Sequence, residues 1–502
     1  MLVRSFYAGR LVAEPGVRAA TSLAHVSVEA GKIQRIATGS PASTAGADVG
    51  GLHTLAMPAL VDAHDHGTGL PGIACGAIDQ PLELWLAATR IKPAIDPYLA
   101  SGLAFARLAR SGVGSVVDCH IFSSPADRWV DDAARVCQAA KDIGIRLAFA
   151  VPMRDRSRLA YADDERFLSS LPAGDGEALR AAVLRPLPPL EEQLQLVDEI
   201  DARCGGPLVQ IQYGPLGPQW CSDRLLERVA EESARRDRRV HMHLLETRYQ
   251  REWADAAYPG GLIKYLDQIG LLSPRLAVAH GVWLRPDEWE LLAERGVIVV
   301  INTSSNLRLR SGIAPVKQLV RAGVPVAFGL DGLSLDDDDD ALRELRLAYL
   351  LHAGTGFDEG IGKADLFAGW LRTGARAVSG RADLGVLEAG RAADVLLLNY
   401  DALAADVMPG VSDEMDVVVA RASARFVETV IVDGRAVVHE SRVLGIDEAG
   451  IAAEVAARAR ASAPEVLALQ PLIRRYQRAL REFYTAKLHA AWAAPTATEE
   501  AK

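Results

Sequence analysis

Between residues 57 and 384 the chain repeats one pattern: a short apolar run ending on a polar residue, then a longer stretch with helical spacing. The short runs are ALVDAHDH (59–66), GSVVDCHIF (114–122), RLAFAVP (146–152), LVQIQYGP (208–215), VHMHLLE (240–246), LAVAHGV (276–282), VIVVINT (297–303) and VPVAFGLD (324–331). Helical stretches such as DPYLASGLAFARLARSG and PDEWELLAERG lie between most of them. Eight strand–helix repeats predict an α/β protein built on a parallel (β/α)8 TIM barrel, with its chemistry at the C-terminal ends of the strands.

The flanks read differently. In residues 1–56, HVSVEAGKIQRIA alternates and pivots at Gly31; FVETVIVDGRAV near the other end alternates about Asp433-Gly434, and both are hairpin signals. We expect residues 1–56 and 385–445 to form one small β-sandwich built from both chain ends, with the barrel at 57–384. Residues 446–502 are expected to be a helical extension of two amphipathic helices broken at Ser462-Ala463-Pro464, ending in a disordered tail, APTATEEAK. A long insert at 153–206 follows the third strand, the kind of excursion that forms lids or substrate walls.

The polar residues cluster where a barrel would use them. His64 and His66 end the first strand two residues apart, so both project to one face, as two imidazole ligands of one metal would. His243 and Glu246 end the fifth strand, His280 the sixth and Asp331 the eighth. His120 ends the second strand, and Gln219, Trp220 and Trp283 lie just past strand ends, where they are candidates to contact a flat substrate. His241 shares a strand face with His243 and suits a supporting role. The run Asp336–Asp340 is expected to cap the helix that follows it.

Composition narrows the partners. A formal net charge of −10 argues against a nucleic-acid surface or a basic membrane anchor, and no apolar run reaches the length of a membrane span. The first residues lack the apolar core of a signal peptide, and five cysteines without a C-x-x-C pair fit a reducing compartment. The expected location is the cytoplasm.

In order and spacing, MPALVDAHDHG, HMHLLET, AHGVWL, SSNLRLRSGIAPV and GLDG resemble the amidohydrolase superfamily, and more narrowly its deaminase and chlorohydrolase branch. The resemblance covers roughly residues 1–445. It implies one divalent metal per chain, Zn2+ or Fe2+, held by His64, His66, His243 and Asp331. It also implies catalytic roles for Glu246 as proton shuttle, for His280 in orienting water or substrate, and for Asp331 as acceptor of the water's proton. Two-metal relatives carry a lysine at the end of the fourth strand; PLVQIQYGP has none. The implied activity is hydrolytic deamination of an amino-substituted nitrogen heterocycle. Its alternatives are hydrolytic removal of chloride or an alkylamine from a triazine-like ring, or cyclic amide hydrolysis, with a non-enzymatic scaffold last. A homo-oligomer, dimer or tetramer, is expected. The sequence HDH in place of the more usual HTH or HVH, and GPLGPQW where relatives carry a polar pair, are its departures from the pattern.

Overall fold

The computed structural model describes residues 1–39 and 46–493, so the expected disordered tail lies outside the described residues. Eight strands form the barrel sheet in sequential order, each parallel to the next: Leu60–Asp65, Val113–Cys119, Arg146–Met153, Val209–Pro215, Val240–Leu244, Leu276–His280, Ile298–Ile301 and Val326–Phe328. All eight coincide with the apolar runs, two of them reaching one residue beyond, because a strand covered on both faces must be apolar along its length. Register sets the height of the polar ends. His243 pairs with Ala279 and Leu244 with His280, so the fifth and sixth strands finish level.

The end of the first strand and the segment after the eighth meet through individual hydrogen bonds rather than a ladder. Asp331 N donates to His64 O at 2.8 Å, and Asp62 Oδ1 accepts from Leu330 N at 3.1 Å and from His64 N at 3.2 Å. Gly329 makes this approach possible: a Cβ there would lie 2.7 Å from both His64 N and His64 O. Only glycine fits so close to another backbone.

The second sheet has eight strands drawn from both chain ends, in the order Arg442–Val443, Arg435–His439, Val427–Val432, Val395–Asn399, Val49–Pro58, Ser5–Leu11, Thr21–Glu29 and Lys32–Thr38. Both expected hairpins are present. Ala30-Gly31 and Asp433-Gly434 each have two successive positive φ values, the two-residue turn that matches strand twist. Strand Val49–Pro58 runs directly into the first barrel strand. The insert after the third strand carries helices Asp164–Ser169, Asp175–Val183 and Leu190–Cys204, and the C-terminal extension is helices Glu448–Ala461 and Ala463–Thr485 with a short turn of helix, Leu488–Ala491. Asp340 caps helix Ala341–His352 by accepting from Leu342 N and Arg343 N, as expected of the aspartate run.

The two sheets are locked by a buried ion pair. Arg146, at the start of the third barrel strand, donates to both oxygens of Asp394 at 2.7 and 3.0 Å and reaches Asp433 at 3.0 Å. Removing the cation leaves a buried carboxylate without its partner. Arg146→Leu is therefore expected to lower unfolding free energy by about 3–5 kcal/mol, read by denaturant titration against wild type.

Candidate metal centre

The strand ends deliver His64, His66, His243, His280 and Asp331 to one place. His64, His243, His280 and Asp331 each offer a ligand atom within 4.8 Å of the others, and all four are buried. His66 stands at the open side, 22% exposed, with Nε2 3.0 Å from Asp331 Oδ1, the same oxygen that lies 3.0 Å from His64 Nε2. The tightest quartet thus contains His280 where the resemblance lists His66, and His66 adjoins it through Asp331.

Each imidazole is aimed by its far nitrogen. His66 Nδ1–H donates to Cys119 O at 2.6 Å, His243 Nδ1–H to Leu216 O at 2.8 Å, and His280 Nδ1–H to Asn306 Oδ1 at 2.9 Å. His64 Nδ1 meets His241 Nε2 at 2.7 Å, which gives His241 the supporting role its strand face suggested. With Nδ1 so engaged, the Nε2 lone pair of each ring faces the centre, the form in which histidine binds metals. His64 Nε2 and His280 Nε2 are buried without a hydrogen-bond partner among the described residues. Orphaned buried acceptors of this kind are costly unless a ligand satisfies them, so the residues present fit a divalent cation.

Electrostatics separate the groups. Burial pushes His64 and His243 below the ordinary histidine range, and His280 down to about 4, with Asp331 partly opposing the last shift. Burial also acts downward on His66, but its contact with Asp331 outweighs that and raises it. Burial opposes ionisation of Asp331, yet the His64 and His66 imidazoles 3.0 Å from its Oδ1 hold it well below the usual carboxylate range. Glu246 is the reverse: burial, then the charges of Asp331 and Glu83, carry it well above. Two carboxyls whose surroundings push their proton affinities in opposite directions, both near His280 Nε2, are the arrangement acid–base chemistry uses. Glu246 Oε2 lies 3.7 Å from His280 Nε2, and Ser311 Oγ donates to Glu246 Oε1 at 3.2 Å.

The backbone is strained where these groups sit. His280 and Asp331 have φ of 75° and 62°, and Leu245, beside Glu246, has 49°. Such conformations cost about 1–3 kcal/mol each and persist only where surrounding contacts enforce them. Asp331 is held by Ser305 Oγ and His280 by Asn306, both from the helix Thr303–Arg308.

The substrate candidates scatter. Trp220 packs edge-on to His243 with ring centroids 6.2 Å apart. Gln219 is buried, and its Nε2 has no partner among the described residues. Trp283 stands 37% exposed, its indole N–H donating to Ser311 O. His120 is half-buried, bonded to Asp118 at 3.2 Å and packed on Phe122 and Phe149. Asp65 points away from the cluster, accepting from Gly67 N and Gly332 N. Gln212, at the end of the fourth strand, donates to Ala377 O and Val378 O, so it braces a helix. Sequence reasoning passed over Ser311, Glu83, Thr247 and Gln250. The one available signal was Glu83, an acid inside the apolar stretch PLELWL.

The amidohydrolase family profile matches residues 55–437, well over half of the chain. The chain belongs to the amidohydrolase family. This amidohydrolase is 31% identical over 414 residues to 5-methylthioadenosine/S-adenosylhomocysteine deaminase of Moorella thermoacetica, a match spanning 80% of this chain and 86% of that one. It is 29% identical over 450 residues to 8-oxoguanine deaminase of Pseudomonas aeruginosa, spanning 88% and 94%. The crystal structure of an adenosine deaminase from Xanthomonas campestris with bound zinc is similar at a TM-score of 0.73 and 26% identity, covering 92% of this chain and 98% of that one. Atrazine chlorohydrolase from Arthrobacter aurescens, solved with zinc, shares the fold at a TM-score of 0.73 and 23% identity, covering 90% and 98%.

His241 bears on the metal only through His64. Its replacement by alanine is expected to weaken divalent-metal affinity about 10- to 100-fold, measured by chelator competition, without loss of fold by circular dichroism.

Proposed function

We propose that this amidohydrolase is a metal-dependent deaminase that hydrolyses an exocyclic C–NH2 bond on a nitrogen heterocycle, with one divalent ion per chain. The observation that carries the reading is the placing of two buried carboxyls around the orphaned imidazole nitrogens, Asp331 against His64 and His66 and Glu246 against His280 and Ser311. The named relatives are deaminases of purine-containing compounds, which favours an aminated purine ring as substrate.

His64, His66, His243 and Asp331 would hold the ion, with His280 beside them. A bound Zn2+ or Fe2+ supplies Lewis acidity that makes water a usable nucleophile near neutral pH. Zinc is the first choice, since the Xanthomonas structure holds it. Asp331, kept anionic, takes the proton of the attacking water. Glu246, kept protonated by its surroundings, gives a proton to the ring nitrogen next to the reacting carbon. His280, neutral and fixed by Asn306, orients the water or the substrate. In the tetrahedral adduct the proton taken up by Asp331 passes to the amino group, the C–N bond breaks, and ammonia leaves as the adduct hydroxyl returns its proton to Glu246 and becomes the ring carbonyl.

We also read the enzyme as a cytoplasmic homo-oligomer. All five cysteines are unpaired and buried, which supports a reducing compartment. Light scattering on the purified protein reads its assembly state.

The decisive assay offers metal-loaded enzyme a panel of aminated purines, pyrimidines, pterins and triazines, following both ammonia and chloride. Ammonia from a purine is the expected result; chloride from a triazine without ammonia from any ring overturns the deaminase reading. His243→Ala is expected to lose both metal and activity. Glu246→Gln should keep its metal, with kcat reduced about 10²- to 10⁴-fold.

A further inference from the structure

The C-terminal extension lies beyond the residues that the family profile matches, yet its long helix, Ala463–Thr485, grips three loops of the catalytic face. On the loop after the third strand, Tyr476 OH donates to Leu159 O and Tyr161 N donates to Tyr484 Oη at 3.2 Å. After the first strand, Gln477 Nε2 donates to Leu84 O at 2.9 Å, next to Glu83. After the fifth, Tyr484 packs on Tyr249 at 5.0 Å, and His489, on the short helix Leu488–Ala491 that follows, pairs with Glu252 at 3.0 Å.

From Tyr161 a chain of hydrogen bonds leads to Glu246, and its polarity is forced. Glu246 N–H requires an acceptor, so Gln250 turns Oε1 toward it at 2.8 Å. That leaves Gln250 Nε2 to donate to Tyr161 Oη at 3.2 Å. Tyr161 must then give its own proton to Glu83 Oε1, at 3.1 Å, an oxygen that also accepts from Thr247 Oγ1 at 2.6 Å. The Tyr161 ring also packs edge-on to Trp220 at 5.9 Å, and Trp220 in turn to His243.

We propose that the C-terminal helix completes the active site: Tyr484 anchors the loop bearing Tyr161, and Tyr161 is a positioning residue that fixes Gln250 and, through it, the turn carrying Glu246. The proposal rests on the reading of Glu246 as proton donor. Space-filling does not explain the arrangement, because phenylalanine would fill the same volume. The Tyr161 hydroxyl sits in a residue only 2% exposed, between a carboxylate and an amide. Without it, Gln250 Nε2 loses an acceptor in a dry pocket and the amide is free to rotate away from Glu246 N. That bond matters because Leu245, immediately before Glu246, holds a left-handed φ that needs external support.

The test compares Tyr161→Phe, Tyr484→Phe and Arg475→Ala in the full-length, metal-loaded enzyme. Arg475 is the control: it lies on the same helix but pairs with Asp175 on the exposed rim. In Tyr161→Phe, kcat is expected to fall about 10- to 100-fold with KM within about twofold, with metal content unchanged and Tm lowered by only a few degrees. Tyr484→Phe should move kcat in the same direction by less, and Arg475→Ala should match wild type. Independently of substrate, hydrogen exchange of the Glu246 amide is expected to accelerate about tenfold or more in Tyr161→Phe. Wild-type kcat together with wild-type protection of Glu246 in Tyr161→Phe overturns the proposal, as does a fall in kcat that tracks loss of metal. Should wild type release no ammonia from any ring, the deaminase reading fails, and exchange at Glu246 alone then decides the positioning role.

Discussion

Everything at the catalytic face depends on Asp331 reaching across the barrel seam. Its amide donates to His64 O, so the end of the eighth strand is pinned to the end of the first. Its carboxylate then meets His64 and His66 at one oxygen and Ser305 at the other. This single residue closes the barrel, gathers two imidazoles and carries the negative charge that offsets a bound cation. Gly329 is the structural condition for it, since any side chain there would collide with the His64 backbone. The left-handed φ of Asp331 is the strain accepted in exchange.

The same carboxylate sets the protonation of its neighbours. Two acids in one dry cavity cannot both ionise cheaply. Asp331 is adjacent to basic nitrogens and keeps its charge. Glu246 has Ser311 and the Gln250 amide for company, with Glu83 as a second buried acid nearby, and is pushed toward its protonated form. The division of labour between base and acid is thus a consequence of placement, not of residue type.

The part of the design that was legible in the sequence is the part written at strand ends. Strand periodicity fixes which residues share a face, so His64, His66, His243, His280 and Asp331 stand out as polar groups closing apolar runs. The eight strands and the two Asp/Ala-Gly hairpins follow from the same local rules. His241 and the aspartate run were readable for that reason too. Ser311, Gln250 and Thr247 were not, because nothing local marks them, and Glu83 was marked only by its place in an apolar stretch. Gln250 is an ordinary polar residue on a helix whose amide happens to be engaged at both ends. Glu83 looks like an acid on an amphipathic helix until two hydroxyls are seen to converge on it.

The C-terminal helix shows the limit most sharply. Its apolar stripe is plain in the sequence, but a stripe says only that something covers it. The cover is the insert after the third strand: Phe167 packs edge-on to Phe483 at 5.4 Å, and Tyr161 and Tyr484 bond although 323 residues separate them. Packed together, the insert and the helix make a rigid wall, and rigidity here matters because the turn before Glu246 is strained and would relax if its supports moved. An extension outside the family's shared core thereby acquires a stake in its chemistry: the more firmly it holds Tyr161, the less freedom Glu246 has to leave the geometry in which its proton is useful.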